Sequence, residues 1–93
     1  MADINKIMCF CGCGLGTSLI MEMNTQTTLK EFGVDGVEVV HSTIDDVIPG
    51  AADLFVCAND MLHIAEKAGP AVGIKNMLDM EEYKEKLGEI FGR

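Results

Sequence analysis

The sequence is short of aromatic residues, basic residues and long apolar runs. It has no tryptophan, one tyrosine, and 7 lysines and arginines against 15 aspartates and glutamates, which gives a net charge of −8. Proteins bind duplex nucleic acid through Lys and Arg on its phosphates, so this charge argues against a nucleic-acid partner. No stretch approaches the roughly 18 apolar residues of a membrane-spanning helix. The N-terminal "MADINKI" lacks the basic-then-apolar pattern of a signal peptide, which predicts a cytoplasmic protein.

The four cysteines are not spaced for disulfides or for zinc. Cys9, Cys11 and Cys13 lie two residues apart, and without a signal peptide reduced thiols are expected. Structural zinc sites gather paired ligands, such as C-x-x-C, from separate segments, and no second Cys or His cluster follows here. We therefore expect no metal. Cys9 and Cys57 stand in apolar runs and are expected to pack in the core.

Hydrophobic patterning predicts one α/β domain over residues 1–93. The predicted strands cover residues 4–10, 37–42, 53–58 and 71–74, with helices at 15–32, shortly after Asn59 and from Asp79. Alternating strands and helices predict a four-stranded parallel sheet flanked by helices on both faces. Ligands bind such sheets beyond the carboxyl ends of the strands, so the turn after the first strand, residues 11–18, is the expected active site.

The last helix is expected to begin with a capping box and to bury one stripe. Asp79 is followed three residues later by Glu82, the spacing at which each side chain can bond the other residue's backbone N–H. The apolar residues of the expected stripe recur at helical spacing: Met80, Tyr83, Leu87, Ile90 and Phe91.

The segment "CGCGLGTS" has the features of an anion-binding turn beside a thiol. Its alternating glycines allow the backbone N–H groups to close around an anion, and the start of the following helix adds positive charge. A helix N-terminus also lowers the pKa of a thiol from about 8.5, so Cys11 is the predicted nucleophile, one that accepts a phosphoryl group and passes it on. The predicted phosphate-binding residues follow it: Gly12, Cys13, Gly14, Leu15, Gly16, Thr17 and Ser18.

Two other classes of function remain open. A cysteine phosphatase or arsenate-reductase-like enzyme uses a cysteine, five residues, then arginine and Ser/Thr. Counting from Cys11, Thr17 stands in the arginine position, and the only arginine is Arg93. Without that guanidinium, the transition state of hydrolysis loses its main stabilisation, which favours transfer over hydrolysis. A non-catalytic thiol-binding module is the other alternative. His41, which follows a strand, is a further candidate for assisting the site.

The segment "CGCGLGTSLIMEM" resembles the active-site loop of enzyme IIB components of the bacterial phosphoenolpyruvate:sugar phosphotransferase system. It is most similar to the ascorbate- and galactitol-type branch, with a Cys-Gly-x-Gly-x-Gly-[Ser/Thr]-Ser loop before a Met-containing helix. The late segment "VGIKNMLD" also resembles sequences of this family. Cys13 is a departure from the pattern, because a non-thiol residue is expected there.

The resemblance implies a phosphoryl carrier with a Rossmann-like fold similar to that of low-molecular-weight phosphatases. The loop cysteine, here Cys11, would take a phosphoryl group from a histidine of enzyme IIA and hand it to a carbohydrate bound by the membrane component, enzyme IIC. No metal or organic cofactor is implied. The protein would work in the cytoplasm, at the inner face of the membrane through its contact with enzyme IIC.

Overall fold

The computed structural model describes residues 4–10, 15–76 and 78–92. Within them, strands and helices alternate as predicted: β1 (Lys6–Phe10), α1 (Leu15–Phe32), β2 (Glu38–Ser42), β3 (Leu54–Ala58), α2 (Leu62–Ala68), β4 (Ala71–Ile74) and α3 (Met80–Phe91). Short 3-10 turns, Ile44–Asp46 and Asn59–Met61, follow β2 and β3. The first three strands begin one or two residues later than predicted. None of the helices in these ranges has the length and hydropathy needed to cross a membrane.

The strands form one parallel sheet in the order β2-β1-β3-β4. The chain passes from β1 outward to β2 and then returns past β1 to β3. The strand order therefore reverses between β1 and β3, and ligands bind such sheets at the carboxyl ends of the strands flanking this point. The predicted four-stranded parallel sheet is confirmed.

The two faces of the sheet bury different helices, which confirms the prediction of helices on both sides. Alternate residues of a strand point to opposite faces. In β1, Ile7 and Cys9 join the core formed with α1 and α3, whereas Met8 and Phe10 join the core that contains Ala65 of α2. β3 is buried along its whole length, as its continuous apolar sequence predicts for a central strand.

The start of α3 differs in one detail from the predicted capping box. The Asp79 carboxylate caps the helix by accepting the Glu81 N–H at 3.0 Å. The Glu82 carboxylate does not return the bond to Asp79; it accepts the N–H groups of Lys75 and Asn76 at 2.7 and 2.9 Å. It thus ties α3 to the loop after β4. The apolar stripe is confirmed: Tyr83, Leu87 and Phe91 are buried, and Met80 and Ile90 pack against the same core.

Candidate active site

The predicted site lies at the junction of β1 and α1, beside the point where the strand order reverses. β1 ends at Phe10 and α1 begins at Leu15, so four residues of sequence separate the strand from the helix. Cys11, Gly12, Cys13 and Gly14 lie outside the described residues, and their predicted roles stay predictions. The strand before them and the helix after them occupy the places that the sequence predicts.

The N-terminus of α1 supplies favourable electrostatics for an anion at this junction. The helix runs for 18 residues from Leu15, and its first turn contains no acidic side chain. Aligned peptide dipoles place roughly half a positive elementary charge at such an end, where the first N–H groups have no carbonyl partner within the helix. The backbone of Leu15, Gly16 and Thr17 is helical, as expected of the start of α1. The Ser18 side chain is fully buried and interacts within the protein.

The two described cysteines are core residues. The Cys9 thiol is completely buried, with its Sγ 3.7 Å from Thr25 Oγ1. Burial raises its pKa to about 12, and the hydrogen bond with Thr25 offsets this only in part. The Cys57 Sγ is also buried and donates to the Val72 carbonyl at 3.7 Å. The expectation that both cysteines pack in the core is confirmed, and Cys9 is protonated at neutral pH rather than nucleophilic.

His41 is held by α1. It is the last-but-one residue of β2, in register with Cys9 of β1. Its Nδ1 lies 2.8 Å from Glu22 Oε1, and the Glu22 side chain is only 18% exposed. Glu22 lies about two turns into α1 from Leu15, so the pair fastens the edge strand to the helix that begins at the site. Sequence reasoning named His41 but missed its partner, because no local pattern joins two residues 19 apart.

Asn59 and Gly73 form a close contact at the same edge of the sheet that sequence reasoning also missed. Asn59 follows β3, the neighbour of β1, and its side-chain oxygen lies against Gly73 of β4. A Cβ atom at Gly73 would stand 2.7 Å from Asn59 Oδ1 and 3.2 Å from Asn59 Cα. The turn after β3 therefore packs so closely against position 73 that only glycine fits there. The glycine inside the strand sequence "AVGI" was the available signal.

Acidic and thiol side chains are not clustered for metal binding in the ranges that can be described. Among residues 4–10, 15–76 and 78–92, no three His, Cys, Asp or Glu side chains are grouped so as to hold a metal ion.

Charged side chains line an open depression of about 280 Å³ at the start of α3: Lys75, Asp79, Glu81, Glu82, Glu85 and Lys86. Four of these side chains are acidic and two are lysines, and Glu82 there already accepts two backbone N–H groups.

The two methionines near the start of α1 differ in burial. Met21 is fully buried, but Met23 is 55% exposed. Leu19 and Ile20, in the turn before it, are also exposed, at 42% and 39%. The outer surface of α1 is therefore apolar near the candidate site.

Comparisons with known proteins agree on one family. The family described as "PTS system, Lactose/Cellobiose specific IIB subunit" matches residues 6–89. The "Ascorbate-specific PTS system EIIB component" of Mycoplasma pneumoniae is 26% identical over 90 residues, which cover 90% of this chain and 92% of that protein. The lactose-specific IIB component domain of the phosphotransferase system of Streptococcus pneumoniae has a similar fold. Its TM-score is 0.60 at 17% identity, with 97% of each chain covered.

Proposed function

Because this chain belongs to the IIB family of the phosphoenolpyruvate:sugar phosphotransferase system, we propose that it carries a phosphoryl group on Cys11. IIB components are phosphotransferases that work with IIA and IIC partners and a sugar. The proposed donor is a phosphohistidine of enzyme IIA, and the proposed acceptor is a hydroxyl of a carbohydrate bound by the membrane component, enzyme IIC. The protein would act at the inner face of the membrane through that contact.

The observation that carries the proposal is the position of the β1–α1 junction. The strand order reverses there, and α1 points an N-terminus without acidic residues at the junction. A phosphoryl group and a thiolate are both anions, so both gain from the same positive helix end. The buried Cys9 and Cys57 lack this setting, which leaves Cys11 and Cys13 as candidates. Cys11 comes directly after the last residue of β1 and matches the nucleophile position in the active-site loop of enzyme IIB components.

The proposed cycle has two displacements at phosphorus. The Cys11 thiolate attacks the phosphorus of phosphohistidine, forming an S–P bond while the N–P bond breaks. The electron pair of that bond stays on the imidazole nitrogen, which takes up a proton. The carbohydrate oxygen then attacks the phosphocysteine, its hydroxyl proton is lost to a base, and the S–P bond breaks to return the thiolate. Phosphoryl transfer of this kind depends mainly on positioning and on stabilisation of the equatorial oxygens.

The roles of Gly12 to Ser18 follow from this cycle. We assign the backbone of the glycine-containing loop and of the first helical turn to the oxygens of the phosphoryl group. The hydroxyl groups of Thr17 and of the buried Ser18 are further donors, to the same anion or to the loop itself. Thr17 stands where phosphatases of similar spacing have an arginine. The missing guanidinium favours a phosphocysteine that waits for its acceptor over one that hydrolyses.

The proposed sugar class is ascorbate- or galactitol-like. The loop sequence favours that branch, and the Mycoplasma relative carries the ascorbate-specific name, whereas the matching family is described as lactose/cellobiose-specific. Sugar uptake and phosphorylation by membranes containing the cognate enzyme IIC, with this protein added, separates these classes. Phosphorylation of lactose or cellobiose instead of ascorbate or galactitol would refute the assignment of the sugar.

Peptide mass spectrometry tests the carrier role. The protein is incubated with phosphoenolpyruvate, the general phosphotransferase proteins and enzyme IIA from its source organism, beside Cys11→Ser and Cys13→Ser variants. One phosphoryl group is expected on Cys11 in the wild type and in Cys13→Ser, and none in Cys11→Ser. A phosphoryl group on Cys13 would show that Cys13, and not Cys11, is the nucleophile. Continuous release of inorganic phosphate without a stable adduct would favour the phosphatase alternative.

A further inference from the structure

Among the side chains that the structure describes in the first half of α1, three apolar ones lie on the surface. Leu19, Ile20 and Met23 are 42%, 39% and 55% exposed, and we call them the α1 apolar patch. The exposed side chains in the second half of the same helix are polar or charged: Gln26, Thr27, Lys30 and Glu31. The outer surface of α1 therefore changes from apolar to polar about halfway along the helix.

α3 packs along α1 without covering these side chains. The side chain of Tyr83 is hydrogen-bonded to that of Asn24, and Lys84 Nζ lies 3.0 Å from Glu31 Oε1. Tyr83 and Lys84 belong to the beginning of α3, which starts at Met80. These contacts place the start of α3 opposite the middle of α1. The first turns of α1 extend beyond it, toward the carboxyl edge of the sheet.

The chemistry of α1 argues against a lipid surface as the occupant. Helices that lie on membranes border their apolar face with several Lys or Arg side chains, which bind anionic headgroups. Lys30 is the only basic residue of α1, and the protein carries a net charge of −8. A contiguous exposed apolar patch rimmed by polar residues is instead typical of a protein contact.

We propose that the α1 apolar patch is the docking surface for the phosphohistidine donor, enzyme IIA. The inference rests on the proposed function. Leu19 lies four residues after the start of α1, about 6 Å along the helix axis, so a donor seated on the patch borders the proposed phosphocysteine loop. The acidic charge of this protein implies a donor surface with an apolar centre and Lys or Arg at its border.

A patch of only three side chains is suited to a donor that must dissociate after it has given up its phosphoryl group. The carrier gives its phosphoryl group to a second partner through the same sulfur, so the donor has to dissociate between the two steps. Interfaces smaller than about 1,200 Å² belong to such transient encounters, and a short apolar patch contributes to one of that size. A charged side chain placed inside the patch is expected to weaken the complex, because it would be buried without a partner.

Methyl NMR tests docking without chemistry. The Cys11→Ser variant, labelled at its methionine methyl groups, is titrated with enzyme IIA of the lactose/cellobiose or ascorbate type from the source organism. The exposed Met23 methyl resonance is expected to shift on binding, whereas that of its buried neighbour Met21 stays in place. Binding that leaves the Met23 resonance unmoved would overturn the proposed surface, whatever the outcome for phosphoryl transfer.

Transfer kinetics supply the second test. Met23→Glu is compared with Gln26→Glu, which makes the same charge change at an exposed position of the same helix, and with Met23→Leu, which keeps the patch apolar. Met23→Glu is expected to lower kcat/KM for phosphorylated enzyme IIA at least tenfold through KM, while Gln26→Glu and Met23→Leu stay within twofold of wild type. Equal rates for the two Glu variants would overturn the docking surface and leave the carrier function standing. Absence of transfer to the wild type from every donor type would overturn the carrier function itself.

Discussion

Replacing Gly73 by alanine tests the packing of the turn beside the candidate site. The added Cβ would stand 2.7 Å from Asn59 Oδ1, 3.2 Å from Asn59 Cα and 3.3 Å from Leu62 Cδ2. The side-chain atoms can rotate away, but the Asn59 Cα is part of the backbone. The turn after β3 therefore has to move by a few tenths of an ångström for the Cβ to fit.

The cost of this movement outweighs the gain from a stiffer chain. Inserting a methyl group into a well-packed site costs about 1–3 kcal/mol. Replacing glycine where the backbone accepts a side chain gains only about 0.4–1 kcal/mol, through the unfolded state. We expect Gly73→Ala to lower the free energy of unfolding by about 1–2 kcal/mol. For a chain of 93 residues, each 1 kcal/mol lowers Tm by roughly 4–8 °C.

Urea unfolding followed by circular dichroism measures this loss, with a double-mutant cycle as its control. Asn59→Ala removes the oxygen nearest to the new Cβ, so Gly73→Ala should cost less in that background, with a coupling of about 0.5–1 kcal/mol. The remaining cost reports the backbone contact. A Gly73→Ala protein that is as stable as the wild type or more stable would refute the reasoning, because the turn would then have room for the methyl group.

Three other predictions concern the core and α3. Because the pKa of Cys9 is raised to about 12, iodoacetamide at pH 8 should leave Cys9 unmodified in the folded protein and modify it after unfolding, as peptide mapping would show; rapid native labelling would contradict its burial. Tyr83→Phe should cost about 1 kcal/mol in urea unfolding, because the buried ring keeps its place but loses its bond to Asn24; no loss would mean that this bond contributes nothing. Partial burial raises the pKa of Glu82, but the N–H groups of Lys75 and Asn76 and nearby lysine charges lower it overall. The stabilising charge is thus present above about pH 4.5 and lost as pH falls through the lowered pKa, so the deficit of Glu82→Gln should shrink in acid unfolding experiments; a constant deficit would contradict this.

The fold could be predicted because its strongest signals are local. The continuous apolar sequence of β3 and the spaced stripe of α3 each fix one element, and their alternation with the other segments fixes a parallel sheet. The start of α1 at Leu15 was also predicted, because the glycines before it interrupt the strand. The first three strands begin one or two residues later than predicted, because the hydrogen bonds of the sheet decide where a strand starts.

The sequence did not reveal which apolar residues of α1 are covered. Leu19, Ile20, Met21 and Met23 are all apolar, so hydrophobic periodicity within this stretch cannot separate the buried Met21 from its exposed neighbours. Which of them is covered depends on how α1 is turned against the sheet and α3, and that is a property of the tertiary packing. Tertiary packing also decides the partner of Glu82. Its spacing from Asp79 is that of a capping box, but its carboxylate accepts the Lys75 N–H instead.

The candidate site was predictable only where its residues belong to one segment. The strand, the loop and the helix start are contiguous in sequence, and the parallel order of strands places them at a binding edge. The pairs His41–Glu22 and Asn59–Gly73 join separate elements, and their contacts depend on the register of β2 against β1 and on the path of the turn after β3. No single segment carries that information.

Phosphorus NMR of the protein after transfer from enzyme IIA tests the central claim most directly, because it distinguishes an S–P bond from N–P and O–P bonds. The account predicts one S-phosphoryl signal, absent from Cys11→Ser and retained in Cys13→Ser. The signal should disappear when membranes with the cognate enzyme IIC and its sugar are added, with appearance of the sugar phosphate. An N–P or O–P signal on the protein, or an S–P signal that persists in Cys11→Ser, would contradict it.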